Sequence, residues 1–245
     1  MPQTVPKVRL FVETPLGDGA VVLPRAEQAH YLFSVMRLGA RATVALFNGR
    51  DGEWLATVET AGKRDGRLVC VERLREQTGG PDLDLLFAPL KKARTDFVAE
   101  KATEMGVRRL RPVFTRFTSS ERVNTARLRA HGIEAAEQCG ILAVPEVAEP
   151  ATLAAVLDGW EPARHLLFCD ESGASPPAAR CLAEAPARPW AVLIGPEGGF
   201  APEEQTRLRA MPQAYPVSLG PRILRADTAA VAALALWQAA LGDWR

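Results

Sequence analysis

From position 83 onward the sequence repeats one alternation: a short run that is apolar at nearly every residue, then a stretch with helical spacing. Residues 83–90, 165–169 and 190–194 are the apolar runs, and 107–114 and 214–219 also read as extended. A strand apolar throughout, rather than at every second position, is buried on both faces. Helices between such strands are the crossovers that a parallel sheet needs. Helices are expected over 94–105, ending at Gly106; from a cap at Asn124 towards Cys139, with Pro145 just beyond; and over 153–157, 178–184, 202–211 and 227–241. The last is alanine-rich, with Val231, Leu234, Leu236 and Trp237, a broad apolar surface that suits either the sheet or a second subunit.

The first 75 residues have a different rhythm. Residues 8–13, 20–23, 43–47, 53–58 and 67–72 are short candidate strands, separated by turns such as Asn48-Gly49-Arg50-Asp51-Gly52 and 62–66. Closely spaced strands with glycine and asparagine turns point to a meander or a small barrel. One helix is expected among them, over 25–36, with Leu32, Val35 and Met36 available for its packed side. The polar stretch 75–81 is the boundary candidate, dividing the chain into 1–75 and 76–245.

Composition narrows the class. No apolar run reaches the roughly 20 residues of a membrane span, and residues 1–10 lack the apolar stretch of a secretory signal, so a cytoplasmic, non-membrane protein is expected. Cys70, Cys139, Cys169 and Cys181 are far apart, and His30, His131 and His165 are equally scattered, which favours reduced thiols and no metal site. The formal net charge of +1 conceals an imbalance: residues 91–131 hold eleven Lys/Arg against four Asp/Glu, while 132–245 hold eight against fourteen. A nearly neutral chain can thus present a basic face to phosphates. A merely solvated basic surface accounts for the same count.

Two turns fall where an open parallel sheet binds ligands, beyond the carboxyl ends of strands. Gly195-Pro196-Glu197-Gly198-Gly199-Phe200 follows the strand 190–194 and runs into Pro202-Glu203-Glu204, residues suited to a first helical turn. Leu219-Gly220-Pro221-Arg222-Ile223-Leu224-Arg225 follows 214–219 and sets two apolar residues between two arginines. Each turn fits either a ligand approaching the main chain or a purely structural connection, and Ile223 and Leu224 either cover an adenine or pack on the domain. Neither is a Gly-x-Gly-x-x-Gly or a Gly-x-x-x-x-Gly-Lys-Ser/Thr loop, which argues against a Rossmann enzyme and against nucleoside triphosphate hydrolysis.

These two turns, the second extended through Ala226-Asp227-Thr228-Ala229, resemble a known family. Lys101-Ala102-Thr103-Glu104-Met105-Gly106-Val107, Glu121-Arg122, Glu134-Ala135-Ala136-Glu137-Gln138-Cys139-Gly140 and Val35-Met36-Arg37 add to the likeness in chain order. The chain resembles the bacterial small-subunit ribosomal RNA methyltransferases that modify N3 of a uridine, within the trefoil-knotted SPOUT superfamily. The resemblance implies an α/β protein: a small N-terminal PUA-like β-barrel for RNA contact, and a C-terminal trefoil-knotted SPOUT methyltransferase domain that dimerises. It also implies S-adenosylmethionine (SAM) among three loops, beginning near Phe168, at Gly195 and at Leu219, with Leu193, Gly195, Gly198, Leu219, Gly220, Ile223 and Leu224 as cofactor neighbours. Two departures stand out. Asp227 replaces a frequent glutamate, and Ile141-Leu142-Ala143 lies where relatives commonly carry arginine.

Methyl transfer to N3 of uracil requires loss of its proton and stabilisation of charge on the carbonyl oxygens. Arg225 and Glu197, each in a cofactor turn, are the candidates for catalysis; loop hydrogen bonding and helix capping are their alternative roles. Arg9, Arg37, Lys91, Lys92, Arg94, Arg116 and Arg122 are candidates for contact with 16S ribosomal RNA in the small subunit. A different SPOUT RNA methyltransferase, acting on a ribose hydroxyl or on tRNA, and a non-catalytic assembly factor share the basic surface. The intact cofactor turns speak against the latter.

Overall fold

The computed structural model describes residues 6–62, 65–120, 122–170, 175–187 and 189–244. Glu121, of the Glu121-Arg122 motif, lies outside them, as do residues 171–174 of the loop that follows Phe168 and residues 63 and 64 of the 62–66 turn. Chain contacts divide the protein into two compact units, Met1–Gly79 with Ala136–Ala143, and Gly80–Ala135 with Val144–Arg245.

The first unit is a five-stranded sheet of β1 (Arg9–Phe11), β2 (Val21–Val22), β3 (Thr43–Phe47), β4 (Glu53–Ala61) and β5 (Gly66–Arg75) in the order β1-β3-β4-β5-β2. β3, β4 and β5 form an antiparallel meander, β2 joins β5 antiparallel, and β1 runs parallel to β3. Three register shifts between β4 and β5 curl the sheet. The curl encloses Val44, Leu46, Ala56, Val58, Leu68 and Cys70, which alternate along their strands as period two demands. The β3–β4 turn closes on itself. Asn48 Oδ1 accepts from the amides of Arg50 and Asp51 at 3.0 and 2.9 Å, and Asp51 accepts from Leu16 N and Asn48 Nδ2, bonds that hold its carboxyl below the ordinary range.

The helix expected over 25–36 changes character midway. α1 (Ala26–Ala29) gives way to a π-helical segment, His30–Val35, in which Met36 N donates to Tyr31 O, five residues back, at 2.9 Å. The wider turn corrects the expected packed side. Leu32 is fully buried, whereas Val35 and Met36 rotate away from it and are exposed.

The second unit is a seven-stranded sheet whose described ladders are all parallel. In chain order it contains β6 (Leu83–Phe87), α2 (Lys92–Glu104), β7 (Arg109–Phe114), α3 (Thr125–Cys139, whose residues from Ala136 on belong to the first unit), β8 (Glu146–Val147), β9 (Ala151–Thr152), α4 (Leu153–Asp158), β10 (His165–Cys169), α5 (Ala178–Ala183), β11 (Trp190–Ile194), α6 (Pro202–Ala210), β12 (Ala214–Val217) and α7 (Ala226–Leu241). The strand order is β12-β10-β11-β6-β7-β8, with β9 on the far end of β7. Leu83, Leu85, Phe87, Val192 and Ile194 face α2, α5 and α7, while Leu86, Phe168 and Leu193 face α4 and α6. The α7 face of Ala230, Ala233, Leu234, Trp237 and Gln238 is buried within the chain. No helix among the described residues is long and apolar enough to cross a membrane.

Local chemistry sets the helix ends. Asn124 Oδ1 accepts from Arg127 N at 2.9 Å and so caps α3. The Lys101–Val107 segment ends α2: Gly106 takes φ 73°, its amide donates to Thr103 O, and Val107 N donates to Ala102 O at 3.0 Å. One buried charge interrupts the apolar strands. Asp84 in β6 is fully buried and bonded to Arg109 at 2.8 Å, with Arg111 and Arg164 within 3.7 Å. That hydrogen bond raises the Arg109 pKa.

Candidate active site

Three strands, β10, β11 and β12, end side by side, and their following loops enclose a cavity of about 550 Å³. Its wall comprises Cys169 at the end of β10 and Asp170 after it, Ile194 at the end of β11 and residues 195–198 after it, residues 218–225 after β12, and Ala226 and Ala229 at the start of α7. The two small residues on α7 leave the opening that longer side chains would close.

Two glycines of the first turn serve separate needs. Gly199 adopts φ 69° and its amide donates to Pro196 O at 3.0 Å, closing the bend. Gly195 has no room for a side chain, because a Cβ there would stand 2.6 Å from Phe200 Cε2. Phe200 cannot yield readily, being buried and packed edge-on to Phe168 with ring centroids 5.1 Å apart. The second turn is anchored through Ser218. Its amide donates to Pro176 O at 2.8 Å, its carbonyl accepts from Ala178 N at 3.0 Å, and its hydroxyl accepts from Gly220 N at 3.2 Å. Gly220 takes φ 115°, and beyond it Ile223 is 91% exposed at the cavity edge.

Six of the seven expected cofactor neighbours line this cavity: Gly195, Gly198, Leu219, Gly220, Ile223 and Leu224. Leu193 does not. Along β11 successive side chains alternate, so Ile194 reaches the cavity while Leu193 packs with Leu86, Phe168 and Phe200 on the opposite face. Asp170 is a wall residue that the sequence reading left unnamed, although an acid directly after the apolar run 165–169 marks the ligand end of a parallel strand. Its buried carboxylate accepts from Ser175 Oγ at 2.6 Å and from Arg209. Burial pushes the neighbouring Cys169 thiol up to about 12, so it stays protonated and unreactive near neutral pH.

Both catalytic candidates, Glu197 and Arg225, are in the wall, and both are exposed. Arg94, expected to contact RNA, is instead engaged at this site. From the first turn of α2 it forms an ion pair with Glu197 and lies 3.7 Å from Asp227 Oδ2, bridging the β11 turn and the first turn of α7. Lys91 and Lys92 stand exposed at the start of the same helix. Arg116 and Arg122 are exposed in the segment between β7 and α3, and Arg37 is exposed in the first unit with φ 53°.

Arg9 requires correction. Its guanidinium is buried against Glu53 at 2.6 Å, lies 4.6 Å from the centre of the Phe47 ring, and donates to the carbonyls of Ala136, Glu137 and Ile141. It caps the end of α3, and four of its five N–H donors are spent on Glu53 and these carbonyls rather than on phosphate. Burial would raise the Glu53 carboxyl, but hydrogen bonds from Arg75 and Arg9 overcome that and hold it low. The basic excess over 91–131 is likewise partly spent internally, since Arg109 pairs with Asp84 and Arg127 with Asp96 through two 2.8 Å bonds.

Two family models match the chain, one described as an RNA methyltransferase domain over residues 78–238 and one as an RNA methyltransferase PUA domain over 23–69. A Synechocystis protein named ribosomal RNA small subunit methyltransferase E is 31% identical over 232 residues, which cover 93% of this chain and 76% of that one. The chain belongs to the ribosomal RNA small subunit methyltransferase E family. A Rickettsia conorii methyltransferase E is 29% identical over 229 residues, 93% of each chain. Among solved structures, a Legionella pneumophila protein described as a methyltransferase in complex with bound cofactor SAM superposes with a TM-score of 0.87 at 28% identity, covering 98% of this chain and all of that one. A Neisseria gonorrhoeae methyltransferase E has the same fold, with a TM-score of 0.84 at 24% identity over 97% and 99% of the two chains. As in the family, a PUA-like domain precedes a SPOUT-type α/β methyltransferase domain, and the cavity at the ends of β10, β11 and β12 lies in the latter.

Proposed function

We propose that this cavity binds SAM and that the enzyme methylates N3 of a uridine in 16S ribosomal RNA of the small subunit. The observation that carries the reading is the cavity itself: two glycine turns and a buried acid converge at three strand ends in a chain of the methyltransferase E family. Its volume is in the range of small-molecule sites. The chemistry of the wall fits the cofactor: Leu219, Ile223 and Leu224 offer apolar cover for an adenine. Bound there, SAM supplies an electrophilic methyl group.

The protein's own residues divide the remaining work. Arg225 stabilises negative charge as it develops on the uracil carbonyl oxygens. Glu197, oriented by Arg94, takes the N3 proton. Asp227 fixes the other side of Arg94, so its shorter reach relative to glutamate is met by an arginine that lies between the two turns. Lys91, Lys92, Arg116, Arg122 and Arg37 contact phosphates, with residues 1–75 acting as an RNA-gripping module and residues 76–245 as the catalytic region. The enzyme works as a homodimer in the cytoplasm, where small-subunit particles are found.

Tritiated SAM incubated with small-subunit particles tests the reading. Label is expected in the 16S RNA, with loss of transfer in Arg225→Ala and Glu197→Gln. Transfer that survives both substitutions removes those roles, and absence of transfer by the unmodified enzyme removes the function. Changing Lys91, Lys92, Arg116 and Arg122 together is expected to weaken RNA binding while sparing SAM affinity. The mass in solution tests the dimer, which a persistent monomer contradicts.

A further inference from the structure

Phe117 lies outside every hydrophobic cluster of the described residues and is 48% exposed, yet it is not on a loose loop. The turn that carries it is closed by three bonds: Thr118 N to Thr115 O at 3.2 Å, Thr115 N to Thr118 Oγ1 at 2.8 Å, and a 3.0 Å contact between the two hydroxyls. The turn is also tied to the cofactor loop. Arg116 N donates to Glu204 Oε1, and Ala201 N donates to Glu204 Oε2, both at 2.9 Å. One carboxylate therefore holds the 115–118 turn and the end of the 195–200 turn in a fixed relation. Phe117 adjoins Gly198, a residue of the cavity wall: a Cβ added to that glycine would be 3.3 Å from Phe117 Cβ and 3.7 Å from its Cγ.

We propose that Phe117 is a stacking platform for the substrate, a ring against which the target uracil or its neighbour lies as it reaches the cavity. This rests on the methyltransferase reading above. A half-exposed ring on a closed turn tied to the cavity wall, preceded by a guanidinium group, matches what single-stranded RNA needs. Every base has a π-face to stack, and Arg116 next to the ring supplies a cation for the adjoining phosphate. A base reaching an enclosed site must leave its own stack, and the ring replaces part of what it loses.

The test compares Phe117→Leu with Phe117→Tyr and Phe117→Trp, using the full chain, SAM and small-subunit particles. Phe117→Leu is expected to raise KM for the particle about 5- to 140-fold, the equivalent of about 1–3 kcal/mol for one stacked base. SAM affinity and Tm should stay at the unmodified values, and the two aromatic variants should keep KM near normal. An unchanged KM in Phe117→Leu overturns the proposal. So does a loss shared by all three variants, or one accompanied by weaker SAM binding, because either marks packing against Gly198 rather than stacking. Unmodified enzyme that transfers no methyl to the particle overturns the methyltransferase reading instead, and this inference with it.

Discussion

Replacing Gly195 with alanine places a methyl carbon 2.6 Å from Phe200 Cε2, 3.0 Å from its Cζ and 3.2 Å from its Cδ2. Ordinary contact would need about 1 Å more, and one of two parts must move. If Phe200 yields, its edge-on contact with Phe168 and its place among Leu86, Leu193 and Leu208 are disturbed, and the free protein is destabilised. If the turn yields, the cavity wall shifts and ligand affinity falls. Overpacking of this kind costs about 1–3 kcal/mol. At about 2–4 °C per kcal/mol for a domain of 150–250 residues, the whole cost taken as stability lowers Tm by about 2–12 °C. Taken wholly as affinity, it weakens SAM binding about 5- to 140-fold. Calorimetric titration with SAM and a thermal melt of the same preparation measure both shares. Gly198→Ala is the milder comparison: its added carbon would come no nearer than 3.3 Å to Phe117 Cβ, so its summed loss should be smaller than that of Gly195→Ala. A Gly195→Ala protein with Tm within about 1 °C and SAM affinity within twofold of normal would refute the steric reasoning.

Three further outcomes follow from particular contacts. Gly220→Ala meets nothing within 4 Å, yet at φ 115° it should still cost about 1–3 kcal/mol through backbone strain, read as weaker SAM binding; normal affinity would mean that the loop relaxes freely. Arg94→Gln removes two partly exposed ion pairs worth at most about 1 kcal/mol in stability. It should nonetheless lower kcat at least about tenfold, a fraction of what a positioned acid or base supplies, and an unchanged kcat would contradict the bridging role. Glu53 has a depressed folded pKa, so its contribution is complete above the unfolded value near 4.5 and is lost as pH falls through the folded value. Glu53→Gln should therefore melt lower at pH 7 and lose less on acidification from pH 5 than the unmodified protein; parallel curves would exclude the linkage.

The cofactor turns were legible in the sequence because their constraints are local. Gly199 and Gly220 are needed for their own backbone angles, and position after an apolar strand places them at the ligand end of the sheet. Helix ends were legible for the same reason, with Asn124 and Gly106 acting on the next few residues. What stayed hidden depends on distant partners. Arg9 looks like any surface arginine until Glu53, 44 residues away, and the end of α3 close around it. Leu193 and Ile194 are equivalent in an apolar run, and only the packed layers decide which one faces the cavity. Asp84 is invisible as a buried charge without Arg109 in register beside it. β8 and β9, two residues each, carry no period to detect. The exposure of Val35 and Met36 arises from one extra residue per turn, a change that α-helical spacing cannot anticipate.

The most direct test is mass spectrometry of nucleosides from 16S RNA after small-subunit particles are incubated with the enzyme and SAM carrying a trideuterated methyl group. The account predicts the heavy methyl on the uracil base at N3, and its disappearance with Arg225→Ala. A heavy methyl on ribose, or none on the 16S RNA at all, would contradict it.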